Sequence, residues 1–204
     1  MGDSSDVPKQ TVVVTGFGPF GNHNVNASSE SVKQLADIWK SDDFSLIPVT
    51  DLDVVYDTVK TVVPGLWEKH HPVLMVHVGV SGIAKQLTLE QCAHNDGYDK
   101  MDNERCIPSK NCCVDGARAC ISSKLDMKKV CNAINDDNCG IEAVISHDPG
   151  RYLCDFIYFT SLHIDNSCTA FIHVPPLDKP YTREQLAIGI QSAINAMLAQ
   201  IHAK

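Results

Sequence analysis

The chain has 204 residues, of which 44% are apolar, and a formal net charge of −8. That length suits one catalytic domain with a sizeable core, and a negative balance without a Lys/Arg cluster argues against nucleic acid or an anionic membrane as partner. No apolar run approaches the roughly 20 residues that a membrane span needs, and the polar opening MGDSSDVPKQ lacks the apolar stretch of a secretory signal.

In chain order, Thr11–Phe17 (TVVVTGF) reads as a buried strand, preceded by a flexible tail over residues 1–9. Ser28–Ser41 reads as a helix with Val32, Leu35 and Trp39 at helical spacing. Phe44–Val49 is a strand that Pro48 pushes toward a sheet edge or a strand end. Asp53–His70 is helical in pattern, with Val55, Val59 and Val62 on one face and Pro64 as a kink or last turn. Pro72–Val80 (PVLMVHVGV) is the clearest central strand, and the alternation in Gln86–Asn95 (QLTLEQCAHN) suggests another. From Asp96 to Ser123 the pattern dissolves into Gly, Asp, Asn and Cys, which reads as a long loop. Leu125–Asn135 is helical, and Glu142–His147 is a strand that passes through DPGRYLC into a helix. Thr169–Leu177 (TAFIHVPPL) is a strand ended by two prolines. Thr182–Ala203 is a final helix capped by Thr182, with Leu186, Ile190, Ile194, Met197 and Leu198 as its apolar stripe.

Strands alternating with helices imply right-handed crossovers and a mostly parallel sheet covered on both faces, an α/β fold. In such folds ligands bind beyond the carboxyl ends of the strands. That rule selects the loops after Phe17, after Val80 and after His147, and the surroundings of His173.

The first of these loops carries GFGPFG (Gly16–Gly21), which spells the dinucleotide-binding pattern. The context argues against that reading. Pro19 removes a backbone donor, the helix pattern starts only near Ser28, and Asp51 and Asp53 lie too far on for the ribose carboxylate. A turn needing glycine freedom is the simpler account. Phe17 and Phe20 either pack in the core or form aromatic walls for a small, flat, uncharged ligand.

Nine cysteines would suggest a disulfide framework with one thiol left over in a secreted protein. Without a secretory signal, the reducing cytoplasm is the expected setting, with several cysteines acting as small hydrophobes. Asn26-Ala27-Ser28 matches a glycosylation acceptor, which has no meaning without secretion. Cys106, Cys112, Cys113 and Cys120 cluster in the long loop without the spacing of a zinc ribbon or finger. Cys154 stands apart because it sits where a strand gives way to a helix. A helix N-terminus stabilises a thiolate, the reactive form, and its free amides suit an oxyanion. The alternative is a structural cysteine between Leu153 and Ile157. For a base, His173 at the end of the last strand competes with His147, while His77 lies mid-strand and is expected to be buried. Glu90, a lone acid among apolar residues, needs a partner, either a catalytic histidine or an Arg or Lys.

Together these segments resemble the cysteine-type pyroglutamyl peptidase I family, over about Thr11–Tyr181. TGFGPFGNHNVNAS is similar to the family's substrate-loop segment, HVGVSGIAKQLTLEQCAHN to the segment bearing its glutamate, VISHDPGRYLCDF to the nucleophile segment and FIHVPPL to the histidine segment. The resemblance implies a triad of Glu90, Cys154 and His173, and it favours His173 over His147. It also implies that Phe17 and Phe20 contact the pyroglutamyl ring, with Asn26 supporting their loop, on a three-layer α/β/α sandwich. The activity implied is cysteine exopeptidase cleavage after an N-terminal pyroglutamyl residue of small peptides, with no cofactor or metal. A non-catalytic binder of the same peptides and a different cysteine hydrolase, such as an amidase, are the rivals. Asp96–Ser123 is similar to animal-type members, which implies a monomer. Pro149 and Gln91 depart from the family's usual Ala and Lys or Arg, and the Arg that assists the oxyanion in some bacterial members has no clear counterpart.

Overall fold

The computed structural model describes residues 8–21, 25–137 and 140–203. Of the tail expected over residues 1–9, residues 1–7 therefore lie outside the described residues. The elements are β1 (Gln10–Phe17), α1 (Ala27–Ile38), β2 (Phe44–Leu52), α2 (Tyr56–His70), β3 (Leu74–Val80), β4 (Leu87–Glu90), β5 (Cys92–His94), β6 (Cys120–Ser122), α3 (Met127–Asp136), β7 (Ala143–Ser146), α4 (Leu153–Ile164), β8 (Thr169–Val174) and α5 (Arg183–His202). Six strands form one sheet in the order β2-β1-β3-β8-β4-β7. All neighbours in it are parallel except β8 and β4, which are antiparallel.

The strands alternate in the way a doubly covered sheet requires. Val12, Val14, Val76, Val78, Ala170 and Ile172 face a core shared with α1, α3 and α5. On the opposite face Phe17 and Phe171 pack against Tyr56, Val59 and Val63 of α2 and against Phe156 and Phe159 of α4. Helices thus cover both faces, giving the three-layer α/β/α sandwich. Full burial of each such side chain contributes about 1.5–3 kcal/mol relative to exposure. The α5 stripe lies in the first core as its spacing requires, and Thr182 closes a reciprocal capping box with Gln185. His77 is fully buried between Thr15 Oγ1 (2.8 Å) and Ser161 Oγ (2.6 Å). Burial pulls its pKa down to about 3, so it serves as a neutral core residue.

Several elements differ from the sequence reading. Gln86–Asn95 is two strands rather than one. The chain leaves the large sheet at Gln91, and β5 then pairs with β6, which forms inside the stretch read as loop. A three-residue strand has too few positions to show alternation. The Gln91 side chain fixes the break: its amide donates to the carbonyls of Ser123 and Leu125 and accepts the Met127 N–H. In α2 the buried face uses Val63 rather than Val62, and Trp39 lies at the C-cap of α1 rather than within it. Pro48 does lie on an edge strand, β2, where a missing N–H is tolerated. Among the described residues, no helix is long and apolar enough to cross a membrane.

Candidate active site

Two neighbouring strands bring His173 and Glu90 to one face, beside Gly79 of a third. His173, next to last in β8, is paired with Gly79 of β3 on one side and with Thr88 of β4 on the other. Glu90 lies opposite Phe171, so Glu90 and His173 are diagonal neighbours on the same face of an antiparallel pair. Their side chains meet, with His173 Nδ1 2.8 Å from Glu90 Oε1. His173 is 7% and Glu90 1% exposed. The partner that a buried carboxylate requires is therefore the histidine, not an Arg or Lys. Glu90 Oε2 has no hydrogen-bond partner among the described residues, so the carboxylate is committed to the imidazole alone.

Cys154 reaches the same place from the next crossover. After β7, Asp148 accepts hydrogen bonds from the Gly150 N–H (3.1 Å) and from the Arg151 guanidinium (2.6 Å). Gly150 sits at φ +80°, a left-handed conformation that a side chain would strain. Arg151 also binds Asp155, at 3.1 Å. Because of this bend, α4 begins at Leu153, and Cys154 is the second residue of its first turn. The N-cap is Tyr152, whose side chain makes no cap. A Ser, Thr, Asp or Asn there would occupy one of the free amides. Tyr152 leaves them uncapped by its side chain.

The sulfur lies over Gly79. A Cβ at that position would stand 2.7 Å from Cys154 Sγ and 2.7 Å from Phe171 Cζ. Cys154 and His173 line the same cavity. Burial works most strongly against charge on His173, yet the combined pull of Cys154 and Glu90 overcomes it and raises the imidazole to about 10. The ring is thus held as imidazolium through neutral pH. The rival His147 has an exposed side chain, and its backbone carbonyl accepts from Cys92 Sγ at 3.2 Å.

Cavities open on two sides of the sulfur. One, of about 90 Å³, is lined by Phe17, Phe20, Asn26, Val54, Tyr152 and Cys154, among others. Here Phe17 is buried at the end of β1 and Phe20 is half-buried. The Asn26 side chain caps α1 through the Ser28 N–H (3.0 Å), accepts from Ser28 Oγ (2.9 Å) and donates to the Gly18 carbonyl (2.8 Å). Its polar atoms are spent on holding the aromatic loop in shape. The other cavity, of about 610 Å³, is wider and includes Lys85, Lys100 and Pro149 beside Glu90, Cys154 and His173. The four loops selected from the sequence all contribute to these two spaces.

A model of the pyroglutamyl peptidase family matches residues 10–203. The chain belongs to the pyroglutamyl peptidase family. Human pyroglutamyl-peptidase 1 is 48% identical over 191 residues, spanning 94% of this chain and 91% of the human one. The pyrrolidone-carboxylate peptidase of Thermococcus kodakarensis is 31% identical, over 93% of this chain and 97% of its own. Among solved structures, the pyrrolidone carboxyl peptidase of Pyrococcus furiosus superposes with a TM-score of 0.85 at 27% identity, covering 94% of this chain and 100% of that one.

Three residues of this family member escaped the sequence reading. Gly79 offers no side chain to notice, and its place is legible only from the register of β3 with β8. Asp155 and Arg151 flank the candidate nucleophile. Asp155 is fully buried, and it accepts the His94 N–H at 3.0 Å. A carboxylate inside the apolar run LCDFIYF was a usable sign of this anchoring.

The space over Gly79 gives a direct test. Gly79→Ala places a methyl group against Cys154 Sγ and the Phe171 ring. Turnover should fall by about tenfold or more, since catalysis is sensitive to displacements of about 1 Å, while thermal unfolding remains cooperative. Steady-state kinetics and calorimetry measure the two. Unchanged turnover would mean that the sulfur acts from elsewhere.

Proposed function

We propose that this cysteine peptidase removes an N-terminal pyroglutamyl residue from small peptides through a thioester, with Cys154 as nucleophile, His173 as acid and base, and Glu90 as the group that orients His173. The observation that carries the reading is the His173–Glu90 hydrogen bond at 2.8 Å, with Cys154, at the start of α4, lining the same cavity as that ring. Family membership supports the peptidase reading over a binder that has lost turnover. A reacting thiol, a charged imidazole and free helix amides in one cleft supply what acyl transfer needs.

The steps follow from the geometry. The Cys154 thiolate attacks the carbonyl carbon that joins pyroglutamate to the next residue, forming a C–S bond. The amides at the start of α4 hold the oxyanion that develops. The intermediate collapses as the C–N bond breaks, and the His173 imidazolium gives its proton to the leaving amine. A water molecule then gives a proton to the neutral His173 and attacks the thioester. The C–S bond breaks, releasing pyroglutamic acid and restoring the thiolate and imidazolium. Glu90 keeps Nδ1 engaged, so that the other ring nitrogen faces the chemistry.

The two cavities divide the substrate. The small aromatic space suits a lactam ring, which is flat and uncharged. Phe17 and Phe20 supply its walls, and Asn26 holds their loop rather than spending a hydrogen bond on the ring. A free N-terminal amino acid would bring an ammonium group into that space without a carboxylate to receive it, which disfavours it. The wider space takes the leaving peptide. The reducing cytoplasm suits a mechanism that needs a free thiol, and a monomer is the assembly proposed here by analogy with animal-type members.

Release of a fluorophore from a pyroglutamyl amide tests the reading. Cys154→Ala should abolish turnover, whereas retained activity would end the assignment of the nucleophile. Glu90→Gln should lower kcat within the roughly 10²–10⁴-fold range that acid–base groups contribute. It should also move the alkaline limb of the kcat/KM profile to lower pH, because Glu90 is one of the groups raising His173. A mutant profile that overlays the wild type would show that Glu90 is merely structural.

A further inference from the structure

Outside the catalytic cleft, one cluster of chemistry-bearing side chains finds no use in the mechanism. In the β5–β6 ribbon, Cys92 pairs with Ser122 and His94 pairs with Cys120. Cys92 and His94 are two residues apart on one strand, so they share a face, and the cross-strand pairing puts Cys120 on that face too. Ala93 and Ile121, which alternate with them, pack into the core under α4. The ligand-type atoms of Cys92, His94 and Cys120 lie within 4.8 Å of one another. Two thiols and one imidazole at this separation are the only such group of metal-ligating side chains among the described residues.

We propose that Cys92, His94 and Cys120 form a binding site for a thiophilic divalent cation of the zinc type, with a fourth coordination position open to solvent. Soft sulfur and imidazole donors select such ions over magnesium or calcium. Zinc–sulfur bonds of about 2.3 Å in a tetrahedron set neighbouring sulfurs about 3.8 Å apart. The observed spread therefore needs only a small inward rotation of side chains. The three residues also offer an entry path, since Cys92 is buried, His94 half-buried and Cys120 exposed.

The surroundings of His94 match a ligand better than a packed core residue. Its Nδ1 is inaccessible and has no hydrogen-bond partner among the described residues. The nearest carboxylate oxygen paired with it, Asp155 Oδ2, is 3.7 Å away, outside hydrogen-bond range. A ring nitrogen left in this state is unfavourable without an ion or another partner. Of the cysteines that cluster in the sequence of the long loop, only Cys120 joins the set. Cys112 and Cys106 instead lie against the nearby carbonyls of Ser109 and Glu104. Sequence spacing alone could not find the site, because Cys92 and Cys120 lie in segments joined by the long connection between β5 and β6.

The test uses the full-length Cys154→Ala chain, which removes the catalytic thiol as a competing ligand. Cobalt(II) titration of the reduced protein should give one equivalent of tetrahedral cobalt with thiolate charge-transfer absorption, displaced by one equivalent of zinc(II). Cys120→Ser, at an exposed position, should weaken zinc binding by at least tenfold. His94→Ala should do the same, while Cys112→Ser should change nothing. Three results would overturn the site: no thiolate–cobalt absorption, binding that survives both Cys120→Ser and His94→Ala, or loss of binding on Cys112→Ser. Isolation of the protein with a reducible Cys92–Cys120 disulfide, and no metal uptake after reduction, would equally overturn it and make the pair a redox couple instead.

Discussion

The hydrogen bond between Glu90 and His173 depends on one irregularity of the sheet. In an all-parallel sheet, both residues at strand carboxyl ends would sit side by side at the rim. Here β4 runs against β8, so its last residue, Glu90, lies opposite Phe171, two residues before His173, and meets the imidazole diagonally. That places the carboxylate 1% exposed beneath a ring whose far side reaches the cleft. A carboxylate this deep would ordinarily be costly. Its cost is offset by the hydrogen bond to the imidazole, whose pKa Glu90 and Cys154 together raise.

The rest of the cleft follows from making room for that stack. Gly79 has no side chain because Cys154 Sγ and Phe171 occupy the space where one would go. The bend at Asp148–Gly150 and the Arg151–Asp155 pair set the height at which α4 begins, and hence where the sulfur arrives. Tyr152 makes no side-chain cap, which leaves amides at the start of α4 available for the oxyanion of the proposed acyl transfer. Asp155 carries the tie further, because it accepts the His94 N–H and so joins α4 to the ribbon that holds the proposed cation site. Burial pushes its carboxyl up to about 7, against the hydrogen bond from His94 and the charge of Arg151. The helix that carries Cys154 is therefore anchored by a buried acid rather than by packing alone.

Much of this was legible in the sequence because it is carried by local pattern. The valine runs of β1 and β3, the capped amphipathic α5 and the Pro-Gly break before Cys154 all announce themselves within a few residues. The choice between His173 and His147 was not settled by position alone. It rested on a resemblance, and the structure separates the two by burial and contact. What stayed hidden was non-local. The reversal of β4, the role of Gly79 and the pairing of β5 with β6 depend on register between distant segments, for which a single sequence has no signal. The long stretch Asp96–Ser123 hid a strand because three residues of Cys, Ile and Ser carry no readable alternation.

The central claim is electrostatic: one imidazole holds its proton through neutral pH because a carboxylate and a sulfur flank it. The most direct test is an NMR pH titration of the His173 ring in the wild-type chain and in Cys154→Ala. The account predicts a wild-type ring that stays protonated well above the ordinary histidine range of about 6.5, toward about 10, and a clear fall in that value when the sulfur is removed. A ring that titrates at or below 6.5 in both proteins would contradict it.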